Sequence, residues 1–176
     1  MHKHMAGHRW MGAAAVVAAL TLAAVAGPLL PEKPNIPREV LSLAQIKRIR
    51  LEVTPFPRLL TDAGILPDEV KRKWRQRLEK KGIEVTTNPN DPTLRLRIDL
   101  VAEPSLPSTL AALIFISLEQ DVHLKRLDRD IVLPTFTNYL VSLDTRQRMI
   151  KTMPAGIGRV LEKFITMVKR GTAYDK

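Results

Sequence analysis

The 176-residue chain contains no cysteine. That absence excludes disulfides, a thiolate nucleophile, a cysteine-ligated metal site and a lipoprotein anchor. Glycine is also scarce, with 8 residues against 13 prolines. No GxGxxG and no GxxxxGK[ST] occurs, so the usual backbone cradles for dinucleotides and phosphates are missing. Gly156-Ile157-Gly158 is only a GxG at a helix start, without a strand before it, and reads as a close-packed helix entry. A G-x-S-x-G elbow, an H-E-x-x-H pair and an EF-hand loop are likewise not found. Acidic residues are the minority charge: Asp+Glu 18 against Lys+Arg 28 leaves +10.

The first ten residues, MHKHMAGHRW, hold Lys3, Arg9 and three histidines but no acid. Residues 11–30 are a charge-free apolar run. A basic start followed by such a run is the pattern of a signal peptide or a single membrane anchor. The positive flank predicts a cytoplasmic N-terminus and an exported remainder, in the periplasm of a bacterium. Ala24-Val25-Ala26 offers a cleavage site before Gly27. If the segment is retained, its twenty residues rise ~30 Å as a helix, about one hydrocarbon thickness of the inner membrane. Ala15, Ala19 and Ala23 would then line one face small enough for a second membrane helix to approach.

Residues 31–45 read as a proline-rich spacer, 46–171 as one exported domain and 172–176 as a tail. Within the domain, Ile49, Leu51 and Val53 alternate with Arg48, Arg50 and Glu52, a strand with one face in water. Residues 67–81 form the clearest soluble helix. Pro67 suits the first turn, Asp68 and Glu69 suit the positive end, and Gly82 follows the last turn. Its Val70, Trp74 and Leu78 make a narrow apolar stripe. Strands follow at 83–87, 94–101, 113–124 and 131–143. Gln120 interrupts the apolar face of the third of these and requires a hydrogen-bond partner, a bulge or a position past the sheet edge. Pro134 marks the fourth as an edge or bulged strand. A last helix is expected from about Ala155 to Lys169, with Pro154 in its first turn. This order predicts an α+β fold: a four- to five-stranded, mostly antiparallel or mixed sheet with two helices on one face, preceded by the N-terminal hydrophobic helix.

No set of residues converges on catalysis, and no cofactor or metal is expected. His123 shares a strand face with Glu119 and Asp121, residue types that can polarise a nucleophile. Spaced two apart on one strand, they form a row rather than a pocket. The most distinctive soluble feature is instead the basic surface of helix 67–81: Lys71, Arg72, Lys73, Arg75, Arg77, Lys80 and Lys81, seven cations within eleven residues. Export and the want of an aromatic platform argue against nucleic acid. An acidic protein partner or anionic lipid headgroups fit better.

The layout is loosely similar to that of small envelope accessory domains in bacterial export and assembly machines. The expectation is a non-enzymatic envelope accessory or scaffold subunit that docks onto a protein partner or membrane complex. Two rivals make different demands. A carrier of a small or lipidic ligand needs an apolar cavity between sheet and helices. A hydrolase-like enzyme needs His123 to meet Glu119 or Asp121 in a concave site.

Overall fold

The structure, a computed structural model of the chain, describes residues 36–102, 104–106 and 108–174. The targeting or anchor segment expected at 1–30, with Ala15, Ala19 and Ala23, lies outside the described residues. Among those described, no helix is long and apolar enough to cross a membrane.

The elements run α1 (Arg38–Leu41), β1 (Arg48–Val53), α2 (Arg58–Asp62), α3 (Pro67–Lys80), β2 (Glu84–Thr86), β3 (Thr93–Ala102), β4 (Thr109–Leu124), β5 (Arg129–Thr145) and α4 (Arg146–Tyr174). Five strands make one mixed sheet in the order β2-β1-β3-β4-β5. β1 pairs parallel with both β2 and β3, whereas β3, β4 and β5 pair antiparallel. Parallel β1 and β2 need a crossover, which α2 and α3 supply. The expected α+β sheet is therefore present, with a long C-terminal helix.

Alternation decides which side of the sheet is covered. Leu94, Leu96 and Ile98 of β3 pair with Leu118, Ile116 and Ile114 of β4 on one face, and all six are buried. Val70, Trp74 and Leu78 of α3 close over that face with the apolar stripe of α4 in a single core. Each Leu or Phe taken out of water here contributes roughly 1.5–3 kcal/mol.

α3 ends as its sequence requires. Gly82 adopts φ 83°, its N–H reaches the Glu79 carbonyl, and the Ile83 N–H reaches the Leu78 carbonyl at 3.0 Å. This is the double closure that a left-handed residue permits.

Several boundaries differ from expectation: β4 begins at Thr109 rather than 113, and α4 runs on to Tyr174 rather than ending at Lys169. α4 begins at Arg146 rather than Ala155, so Pro154 sits inside the helix and not in its first turn. Met149 and Met153 extend the buried stripe over the added turns, and the Thr145 hydroxyl accepts from the Arg148 N–H at 3.4 Å. Pro154 is exposed, so the carbonyl its ring leaves unpaired can meet water. Part of the presumed spacer is folded: Val40 and Leu43 are buried, and residues 40–44 lie against Gly171 of α4. The short α2 had no strong periodic signal, being only five residues long.

Candidate docking surfaces

The other face of the sheet carries no described helix. Cross-strand pairs Ala111–Leu143, Leu113–Val141 and Phe115–Tyr139 project from it on β4 and β5, and Val101 of β3 pairs with Ala111. Tyr139 is 65% exposed, Val141 63% and Leu143 72%. Neighbouring positions across a ladder touch, so this is one apolar surface rather than scattered residues.

A bulge creates it. The ladder pairs Leu118 with Phe136 but Glu119 with Pro134, so Thr135 is the extra residue of β5. Each extra residue reverses which side chains face inward. Beyond the bulge, Phe136, Asn138 and Leu140 face the helices, while Tyr139, Val141 and Leu143 face out. The pattern is inverted: buried Asn138 lies on the core side, and the larger apolar set is outside. Gln120 is accommodated at the same place. Its side-chain amide donates to the Thr135 hydroxyl at 2.5 Å and to the Ser42 carbonyl at 3.3 Å.

β5 is also the sheet edge. Ser42 caps the Thr135 carbonyl at 3.0 Å. From Phe136 to Asp144, the backbone groups on the outer edge have no strand partner among the described residues. Edge strands usually carry Lys, Pro or inward charges that discourage pairing. None occurs between Thr135 and Leu143.

Toward β1 the open face becomes charged. Arg95 joins three strands, donating to Glu119 Oε1 at 2.7 Å and to Glu52 Oε2 at 3.1 Å. The hydrogen bond to Glu52 chiefly raises the guanidinium pKa above its ordinary value; burial opposes the shift, and the charges of Glu119 and Glu52 reinforce it. Arg97 lies 5.4 Å over the Phe115 ring and marks the boundary with the apolar half.

The basic residues of α3 form a second surface. Lys73 pairs with Glu69 at 3.8 Å and Arg77 with Glu162 of α4 at 3.5 Å. Lys71, Arg72, Arg75, Lys80 and Lys81 have no ion pair among the described residues. Between α3 and α4 lies a half-open cleft of about 490 Å³. Val70, Trp74 and Ile157 floor it, and Lys73, Arg77 and Lys80 line one side.

The enzyme arrangement does not assemble. His123 stands in an exposed two-stranded ribbon, where its Nδ1 lies 2.9 Å from Asp130 and its Nε2 3.4 Å from Asp128. Glu119 is engaged by Arg95, and Asp121 is exposed. The three stay a row. The carrier's cavity is not where it was expected, because Leu94, Leu96, Ile116, Leu118, Leu161 and Phe164 fill the space between sheet and helices, each with 0% exposure.

The apolar open face was missed at the sequence level, although residues 139–143, YLVSL, are apolar at both parities over most of their length. Such a run signals two covered faces.

No family model and no curated protein matches the chain. Among solved structures it is similar to a minor lipoprotein from Acinetobacter baumannii, 15% identical over 70% of this chain and 92% of that one, with a TM-score of 0.38. It is also similar to rare lipoprotein B from Shewanella oneidensis, 16% identical over 70% of this chain and 89% of that one, with a TM-score of 0.30.

Proposed function

We propose that the protein is a non-enzymatic accessory or scaffold subunit of a bacterial envelope complex. Its open sheet face and the edge of β5 dock an extended segment of a partner protein. The observation that carries this reading is the inverted strand: Tyr139, Val141 and Leu143 are exposed beside an edge without charge. A partner strand added there would satisfy the edge backbone groups, and its alternate side chains would cover the apolar surface.

Location follows from residues 1–30, whose basic start and apolar run support export. The chain is either cleaved before Gly27 or retained in the inner membrane with its N-terminus cytoplasmic, where Ala15, Ala19 and Ala23 offer a close-packing face. The cations of α3 form a second contact, with an acidic partner or anionic headgroups. Intact mass after membrane fractionation separates a soluble form starting at Gly27 from a full-length membrane form.

The docking test uses the full chain, captured from solubilised membranes beside a Tyr139→Lys/Val141→Lys variant. One identified protein retained by the wild type and depleted about tenfold with the variant supports the reading; that ratio corresponds to about 1.4 kcal/mol. Equal recovery on both overturns it. So does a wild-type dimer of this chain that the variant abolishes, because the edge would then serve self-association.

A further inference from the structure

From the cleft between α3 and α4 we infer a binding site for a single-chain anionic amphiphile. The alkyl tail would lie on Val70, Trp74 and Ile157, and the charged head would meet Arg77 and Lys80. This site is separate from the open sheet face and does not depend on the docking reading.

Both helices contribute apolar side chains to the lining, Val70 and Trp74 from α3 and Ile157 from α4, and the cleft volume of about 490 Å³ falls within the ~300–1,000 Å³ of small-ligand sites. Its chemistry is ordered along α3. Ile65 and Leu66 lie at one end of the lining, while Arg77 and Lys80 lie at the other. The fourteen steps from Leu66 to Lys80 advance ~21 Å along the helix, the reach of a long acyl tail with its head beside the cations.

Charge selects the occupant. Lys73, Arg77 and Lys80 face Glu69 as the only acid of the lining, which gives +3 − 1 = +2. The existing ion pairs of Lys73 and Arg77 are long, at 3.8 and 3.5 Å, and exposed. Such pairs are worth little, so an incoming anion can replace them. The chain's own apolar run is a poor match, because residues 1–31 carry Lys3 and Arg9 and no acid. A helix is also a poor match. With a diameter of ~10–12 Å, it would ride on the rim instead of filling the floor.

Trp74 supplies the readout, since it lines the cleft. The experiment uses the full chain carrying Trp10→Phe and held in an amphipathic polymer, so that Trp74 is the only tryptophan. Dibromostearate is titrated in, and bromine quenching of Trp74 is recorded. Saturable quenching is expected, with the uncharged methyl ester of the same acid binding about tenfold more weakly. Arg77→Glu/Lys80→Glu should weaken dibromostearate by a similar factor. Gly158→Leu, which fills the cleft from α4 and improves helix propensity, should abolish saturation. A brominated lysophosphatidate run in parallel distinguishes a phosphate head from a carboxylate by which binds more tightly. Equal quenching by acid and ester, unchanged in both variants, would mean simple partition and would overturn the site. Absence of quenching by either brominated anion would overturn it too.

Discussion

On the helix side of the sheet, Leu94, Leu96, Ile114 and Ile116 are at most 3% exposed. On the opposite side of the same sheet, Tyr139, Val141 and Leu143 of β5 each exceed 60%. Both surfaces are apolar, but only one is covered by described residues. The first is the fold's driving force, through area removed from water. The second contributes little to folding while exposed, so its apolar character calls for a purpose outside the fold. The bulge at Thr135 separates the two roles by choosing which parity of β5 faces inward.

Substitutions on the two sides should have separable effects on folding and docking. The largest effect is expected for Phe164→Ala. Phe164 is fully buried against Phe136, with ring centroids 5.8 Å apart, and its loss should cost about 3–5 kcal/mol in denaturant unfolding. Next comes Gly171→Ala at the margin of the covered side. A Cβ there would lie 2.4 Å from the Val40 carbonyl oxygen. The cost should be about 1–3 kcal/mol, with faster amide exchange confined to residues 38–45 and the end of α4.

Arg95→Met tests the charged half of the open face. It frees Glu52 and Glu119 from a half-buried network, and a loss of about 1 kcal/mol is expected, smaller at high salt. The smallest stability effect belongs to Tyr139→Ser/Leu143→Ser, within about 0.5 kcal/mol for each site. If that double variant lost as much as Phe164→Ala, the open face would be part of the core and the contrast would collapse.

The sequence showed the α+β order plainly because strands and helices there had clean periods. Leu94 to Leu100 alternate without a break, and Val70, Trp74 and Leu78 recur at four. The start of α4 was hidden by Pro154, which by local rules belongs at a first turn. Burial of Met149 and Met153 overrode that rule. α2 was too short to show a period, and its closure depends on Gly64 at φ 80°. The requirement on Gln120 was legible, but its partner Thr135 was not, since it comes from a bulge across the ladder. The basic face of α3 could be read from composition alone. The open apolar face left only the both-parity run of residues 139–143, where alternation does not say which set faces inward.

The most direct measurement places a photo-crosslinking amino acid at Tyr139 in the full chain, within intact cells, with a second copy of the experiment at exposed Asp121. A docking face at Tyr139 should give one discrete heavier adduct from position 139, containing a different envelope protein, and no matching adduct from position 121. No adduct at 139, or one containing only a second copy of this chain, would contradict it.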